Sequence, residues 1–332
     1  DMAMYRAKSE GRNTARFFDD RLKEEVRLRW RLGRDLDGAI AADAAHARTT
    51  GRVGRVVYIP PGLYRITRPI PIWSVSGIHI HGGSYGTILI PAFTTPADGF
   101  LDLNGVAFST FDSFTVDGIA GDQRIGSAVR YYWDQATAAR SSSECTFAKV
   151  QVFNVRCKVG FEVGLPDSLT QVDTTSYYDV LVTGAWDGSQ TDWYQYGYRV
   201  GGAYGNNLIH HFYHYAAVGW ARGFGIFCTG LALFGGDFGA NGSDFYLNAL
   251  SYVEISALRS ELSRRFLDGP AGANNAVGNV SVGDVQWTSP NLAPDGEWFR
   301  SSMNGVFHLR NVQVYCNGDP PVDPVFAWTP FR

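Results

Sequence analysis

Lysine is almost missing from most of this 332-residue chain, since only Lys149 and Lys158 occur between residues 57 and 332. Charged residues make up 18% of the sequence, and the formal net charge is −3. Nucleic acids and anionic membranes are bound by basic surfaces, so this composition argues against both as partners. No apolar run reaches the roughly 18 residues of a membrane-spanning helix, and the N-terminus is too polar for a classical signal peptide.

Motifs of several common enzyme classes are also absent. The sequence has no GxGxxG after a strand, no GxxxxGK, no GxSxG and no HExxH, which argues against phosphate loops, nucleophile elbows and zincin sites. The cysteines show no CxxC pair or zinc-site spacing, so we interpret them as buried free thiols and expect no cofactor. They are Cys145, Cys157, Cys228 and Cys316.

Histidine is rare, but it occurs in two clusters. In a strand, His79 and His81 would share one face, whereas His211 and His214 would face opposite ways. We interpret these imidazoles as hydrogen-bonding groups at a surface or in a groove and expect no metal site; metal ligation is the alternative.

Glycine and aromatic residues are abundant. The chain contains 38 Gly, 21 Phe, 17 Tyr and 9 Trp, a composition typical of many short strands joined by tight turns. Charge is distributed unevenly, because residues 1–56 carry 13 Lys+Arg and 9 Asp+Glu, against 16 and 23 in residues 57–332. The sequence therefore predicts a basic helical leader, residues 1–36, followed by a β-rich domain, residues 37–332. The Arg-rich face of the leader is interpreted as a solvated surface.

The start of the leader carries a recognisable signature. Residues 1–13, DMAMYRAKSEGRN, resemble the segment that closes diguanylate cyclase (GGDEF) domains. The resemblance is confined to residues 1–18, and the catalytic loop, carboxylates and nucleotide pocket of that family would all lie upstream of it. We therefore interpret this segment as a C-terminal remnant without cyclase activity.

Residues 54–90 carry a second resemblance. Their sequence, GRVVYIPPGLYRITRPIPIWSVSGIHIHGGSYGTILI, alternates short apolar strands with turns. It resembles the entry into pectate-lyase-like right-handed parallel β-helices, including phage tailspikes, and DLDGAIAADAAHA at residues 35–47 resembles their capping helix. The resemblance implies an all-β, single-stranded right-handed parallel β-helix. An antiparallel sandwich or jelly roll is the competing fold, but Asn-Gly and Asp-Gly turns are too sparse to favour it.

Later strand segments recur along the chain, and the spacing of several neighbours is about one β-helical coil, roughly 22 to 31 residues. Aligning LALFGGDFG with EISALRSEL sets Asp237 beside Glu261 on the following coil. Adjacent carboxylates disfavour joint ionisation, and a protonated and an ionised carboxyl together suit glycoside hydrolysis. We predict Glu261 as general acid and Asp237 as nucleophile or base, with these roles interchangeable, and Arg259 as a group that binds acidic sugar or holds the acid. The alternative is that these carboxylates cap turns or pair with arginines.

An aromatic cluster lies in the segment AWDGSQTDWYQYGY, residues 185–198. Aromatic planes stack on the C–H faces of sugars, so we predict substrate contacts from this cluster and from His211. The alternative is packing of a loop over the body. The predicted residues are Trp186, Trp193, Tyr194, Tyr196 and His211.

Three functional classes follow from this sequence. The first is a tailspike-type depolymerase that hydrolyses a polysaccharide, the second is a lyase acting on a uronate polymer, and the third is a noncatalytic glycan-binding or structural β-helix. The resemblance implies an extracellular or phage-associated protein with a polysaccharide as its partner. It also implies a homotrimer as one form of assembly, which the sequence leaves open.

Overall fold

The computed structural model describes residues 55–118, 123–165, 172–202, 207–227, 230–248, 252–269, 278–289, 297–302, 305–316 and 325–328. The predicted leader, residues 1–36, and the predicted capping helix, residues 35–47, lie outside these ranges. The described part of the chain forms 26 strands and one 3-10 turn, Ser84–Gly86.

The strands are β1 (Arg55–Ile59), β2 (Gly62–Ile66), β3 (Ile70–Trp73), β4 (Ile78–Gly82), β5 (Thr87–Pro91), β6 (Thr95–Asn104), β7 (Thr110–Asp117), β8 (Ile125–Tyr132), β9 (Ser142–Ser143), β10 (Thr146–Phe153), β11 (Cys157–Val163), β12 (Val172–Tyr178), β13 (Leu181–Thr183), β14 (Tyr196–Gly201), β15 (Asn207–Tyr213), β16 (Ala216–Val218), β17 (Arg222–Phe227), β18 (Leu231–Phe234), β19 (Asp237–Gly239), β20 (Ser243–Leu247), β21 (Tyr252–Glu261), β22 (Leu267–Gly269), β23 (Gly278–Ser289), β24 (Glu297–Ser301), β25 (Gly305–Cys316) and β26 (Val325–Trp328).

All strand pairs in the described residues are parallel, and they build three faces. A 16-stranded sheet supplies two of them, because long strands bend and pair with two shorter strands on the next coil. Strand β10, for example, pairs with β12 through its first half and with β13 through its second. We call the face that contains the first half of β10 and β12 the first face, and the face that contains the second half of β10 and β13 the second face. A 10-stranded sheet from β3 to β26 forms the third face. The chain is thus a right-handed parallel β-helix, as the sequence predicted, and the antiparallel alternative is wrong.

Coils differ in length, although their strands stay in register. On the first face, fewer residues separate His210 from its register partner Leu231 than separate Thr110 from its register partner Thr146. Connections between the faces absorb this difference. The range of coil lengths expected from the sequence was therefore too narrow.

Inward side chains stack in columns along the helix axis. On the first face, Phe111, Phe147, Tyr177 and Phe212 are successive register partners, all fully buried. Their ring centroids lie 5.1, 5.4 and 3.9 Å apart. Burial stabilises each such ring by about 2–3 kcal/mol, and stacking adds about 1 kcal/mol per pair. The strand alternation read from the sequence is what brings these rings inside.

A single residue with left-handed backbone forms the corner between the first and second faces in many coils. Lys149 has φ 53°, and the corner residues of the next two coils, Asp179 and His214, have φ 53° and 50°. The hydrogen bond from Asp179 N to Tyr213 O, 3.0 Å, shows that the coils stay bonded past this bend. A left-handed residue turns the chain without an intervening loop, which explains how one long strand serves two faces.

Two further sequence predictions concern cysteines and membranes. Cys145 and Cys157 are buried free thiols, as predicted, and the side chains of Cys228 and Cys316 lie outside the described residues. In the described ranges, no helix has the length and apolarity needed to span a bilayer.

Candidate functional site

Four charged residues of alternating sign follow one another on the outward side of the third face. Asp102 of β6 pairs with Arg130 of β8, which pairs with Glu162 of β11, and Glu162 pairs with Arg199 of β14. Neighbouring strands are about 4.8 Å apart, so each charge lies beside one of opposite sign. We call these four residues the charge ladder.

Glu162 is the centre of the charge ladder. Its Oε2 accepts hydrogen bonds from Ser127 Oγ at 2.5 Å and from Arg130 Nε at 3.1 Å. The guanidinium of Arg199 lies 3.7 Å from Oε1. Buried carboxylates need such partners, and the three groups fix the orientation of this one.

Asp102 is the second carboxyl group of the ladder and has a different environment. Its Oδ2 accepts hydrogen bonds from Trp73 Nε1 at 3.0 Å and Tyr132 OH at 3.3 Å, while Arg130 lies 4.0 Å from Oδ1. Burial raises the pKa of Asp102, and the charge of Arg130 only partly offsets that effect. Asp102 therefore holds a proton more readily than an ordinary aspartate does.

Beside the ladder is a groove of about 540 Å³. Lys158 and Tyr196 contribute to its wall, and the hydroxyl of Tyr196 accepts a hydrogen bond from Arg222 Nη1 at 2.5 Å. The groove combines cations, a carboxylate and an aromatic plane, the group types that bind an acidic sugar. We call this depression the third-face groove; its polar and aromatic lining is Ser127, Arg130, Lys158, Glu162, Gln195, Tyr196 and Arg199.

The carboxylate pair predicted from the sequence is arranged differently. Asp237 pairs with Arg259 on the next coil, so the predicted alignment and the direct pairing with Glu261 are wrong. Glu261 lies two positions further along β21, where Arg259 Nη2 binds its Oε1. Asp237, Arg259 and Glu261 all lie on the exposed side of the second face. Their catalytic role remains a prediction.

The predicted aromatic contacts are dispersed. Trp186 lies under Arg264, 4.9 Å from the guanidinium, and Trp193 lies 5.8 Å from Arg156. Tyr194 packs edge-on against the buried Trp220. These contacts agree with the loop-packing alternative for the three residues, whereas Tyr196 lines the third-face groove and His211 lies on the first face beside Tyr213.

An aromatic surface that sequence reasoning missed lies on the first face. Tyr178, Tyr213 and Phe234 are register partners on successive coils, with ring centroids 5.0 and 5.5 Å apart. We call them the aromatic strip. Tyr178 is 42% exposed. The sequence does not show that these three aromatic residues align, since their alignment depends on the register of three coils.

Two histidines from the sequence analysis have an acidic neighbour. His79 and His81 share one outward side, as predicted, and both contact Asp112 on the next coil. Their ligand atoms all lie within 4.8 Å of one another. The sequence expectation of hydrogen-bonding imidazoles agrees with these contacts.

Comparison with known proteins supports the fold. No family model matches the chain, and no curated protein matches it significantly. Among solved structures, an endo-xylogalacturonan hydrolase from Aspergillus tubingensis is 10% identical, with a TM-score of 0.50 over 84% of this chain and 89% of that one. A mannuronan C-5 epimerase module from Azotobacter vinelandii is 12% identical, with a TM-score of 0.44 over 89% and 95%. At such identities the first likeness shows a shared β-helix fold, and the second carries no further argument.

Proposed function

We propose that this protein binds an acidic polysaccharide in the third-face groove and hydrolyses its glycosidic bonds. The single observation that carries the proposal is the position of Glu162, a fixed carboxylate that lines a groove containing Lys158 and Tyr196. Concave sites with convergent polar groups are where ligands bind.

The proposed chemistry uses the two carboxyl groups of the charge ladder. Glu162, which lines the groove, is the base that activates water. Asp102, whose pKa burial raises, lies beside the groove lining next to Arg130 and is the general acid where the bound sugar places its leaving oxygen within reach of that carboxyl group. Asp102 and Glu162 lie two coils apart, roughly 10 Å at the backbone if coils are about 4.8 Å apart. Both side chains point toward Arg130, which brings the carboxyl groups closer, toward the roughly 6.5–9.5 Å separation typical of inverting glycosidases.

The remaining groove residues bind the sugar in this proposal. Lys158 and Arg199 attract the carboxylate of an acidic sugar, and the ring of Tyr196 offers a plane for its C–H face. The same cations would stabilise an enolate, so elimination by a lyase is the alternative chemistry. Polysaccharides with acidic sugars occur at cell surfaces, which fits an extracellular or phage-associated protein.

One assay on a panel of bacterial and plant polysaccharides distinguishes the three functional classes. New reducing ends without absorbance from unsaturated uronates support hydrolysis, while both signals together indicate a lyase. Binding without either signal indicates a noncatalytic glycan-binding protein. Absence of both binding and cleavage across acidic polysaccharides contradicts the proposal.

Three variants test the location. Lys158→Gln should weaken binding of the acidic polysaccharide about tenfold, whereas Lys149→Gln, at an exposed corner away from the groove, should leave it within about twofold. Glu162→Gln keeps the shape of the side chain and should lower the rate at least about a hundredfold. Because it alters a buried ion pair, its thermal unfolding must be measured alongside. Equal effects of the two lysine variants would exclude the third-face groove as the binding site.

A further inference from the structure

The strongest cluster outside the proposed glycan site is formed by His79, His81 and Asp112 near the first coils. In β4 the inward positions are Ile78, Ile80 and Gly82, so both histidines project outward. Asp112 is the register partner of His81 on β7 and lies diagonal to His79. The fold therefore brings two imidazoles and a carboxylate, distant in sequence, to one point on the surface.

The ring nitrogens that face Asp112 are those that would ligate an ion. His79 Nε2 contacts Oδ2, and His81 Nδ1 lies 2.5 Å from Oδ1. The histidine side chains are 40% and 42% exposed, so each imidazole has room to adjust, and the carboxylate is 15% exposed. Tyr58 stacks on His81 with centroids 5.7 Å apart, which supports that ring from the preceding coil.

We propose that His79, His81 and Asp112 form a binding site for a divalent transition-metal ion. Two imidazoles and one carboxylate match the preferences of zinc and similar ions, whereas calcium and magnesium prefer oxygen ligands alone. Ligands about 2.1 Å from a tetrahedral ion are roughly 3.4 Å apart, so each imidazole nitrogen moves about 1 Å away from the carboxylate oxygen it contacts when the ion enters. The ion links β4 to β7 and keeps a coordination position open to solvent.

Zinc provides a direct test on the full 332-residue chain. In a calorimetric titration with ZnCl₂, the unaltered protein should bind one ion through this site. His79→Gln and His81→Gln should each weaken that binding at least about tenfold, and zinc should raise the melting temperature of the unaltered protein more than that of either variant. Thermal unfolding without metal verifies that the variants fold.

The chain contains a matched control. His214 and Asp179 form another exposed histidine–aspartate pair, 3.5 Å apart. They are not part of a three-residue cluster of possible ligands in the described residues. His214→Gln should therefore leave zinc affinity within about twofold. A failure of the unaltered protein to bind zinc, an equal loss in His214→Gln, or calcium binding as tight as zinc binding would each overturn the site. None of these outcomes depends on glycan cleavage.

Discussion

Asp237 and Arg259 are register partners on neighbouring coils, and the guanidinium of Arg259 also binds the carboxylate of Glu261 on its own strand. Arg259 thus interacts with both acidic groups. The side chains of Arg259 and Glu261 are 59% and 52% exposed, so water surrounds this cluster. A solvated ion pair does not position a proton as a buried carboxyl group does.

We therefore expect Asp237→Asn and Glu261→Gln to retain polysaccharide cleavage within about twofold of the unaltered protein. Reducing ends released per minute, measured beside the Glu162→Gln variant, check this. If either exposed variant lost a hundredfold of its activity while its melting temperature stayed the same, the catalytic centre would belong on the second face.

His210 should control part of the acid sensitivity of the fold. Burial, with a smaller contribution from His211, lowers the pKa of His210 to about 3. In the unfolded chain its pKa is near 6.5. Between pH 6.5 and 3 this histidine is therefore protonated in the unfolded state and neutral in the folded state. Stability from this residue is complete above pH 6.5 and declines by about 5 kcal/mol as pH falls through that window.

The variant His210→Leu should remove that decline, while His308→Gln, at an exposed position of β25, serves as the control. The free energy of unfolding, measured with denaturant at several pH values, gives the comparison. A decline of the same size in His210→Leu would show that another group causes it.

Asp244 should have the opposite effect on the pH dependence of stability, because its contribution lowers the stability of the fold as pH rises. Burial raises the pKa of Asp244 to about 6, although Ser260, Ser263, Asn241 and Trp287 all hydrogen-bond to it. Between pH 4 and 6 the folded state therefore binds more proton than the unfolded state, and this contribution destabilises the fold by up to about 3 kcal/mol as pH rises. Above pH 6 the cost is complete and constant.

In Asp244→Asn this pH-dependent cost disappears, so the difference in unfolding free energy between variant and unaltered protein should change across pH 4–6 and stay flat above it. The variant also loses a hydrogen-bond acceptor, which shifts the whole curve without changing its slope. A pH-independent difference would contradict the expectation.

Gly82 should tolerate no side chain, because an added Cβ would lie 2.1 Å from the carbonyl oxygen of Ser113 on the next coil. Gly239 is the matched control, since its nearest neighbour would be 3.5 Å away. We expect Gly82→Ala to lower the unfolding free energy by about 3 kcal/mol or more and Gly239→Ala to change it by less than about 1 kcal/mol. Similar denaturation midpoints for the two variants would show that the coil spacing adjusts.

Strand alternation made the fold accessible from sequence, but it left the register undetermined. Pairing Leu231 with Val253 or with Ile255 buries apolar side chains equally well, because both offsets preserve inward and outward positions. The observed register and the predicted register, which is shifted by two positions, therefore fit the hydrophobic pattern equally well. In the observed register the two coils stay hydrogen-bonded through the Gly235–Gly236 corner.

The charge ladder and the contact of Asp112 with His79 and His81 could not be predicted from the sequence, again because the register was unknown. Asp102, Arg130, Glu162 and Arg199 are separated by unequal stretches of sequence, since the connections between them differ in length. No fixed period links them, and the same holds for Asp112 and its histidines. Tyr196 could be predicted as a substrate contact because it lies in an aromatic segment of the sequence. Its position in the third-face groove could be seen only in the folded structure.

The left-handed corner residues have a consequence for how such a chain can vary over evolutionary time. Each corner residue, such as Lys149 or Asp179, separates a first-face segment from a second-face segment, and the inward and outward positions of each segment are counted from it. Deleting one residue from a strand would reverse the inward and outward positions in the rest of that strand. The mostly exposed loop at residues 187–192 can gain or lose residues with little effect on the core. Homologous chains should accordingly differ in the length of their loops, where new specificities arise, while their strands keep a constant number of residues.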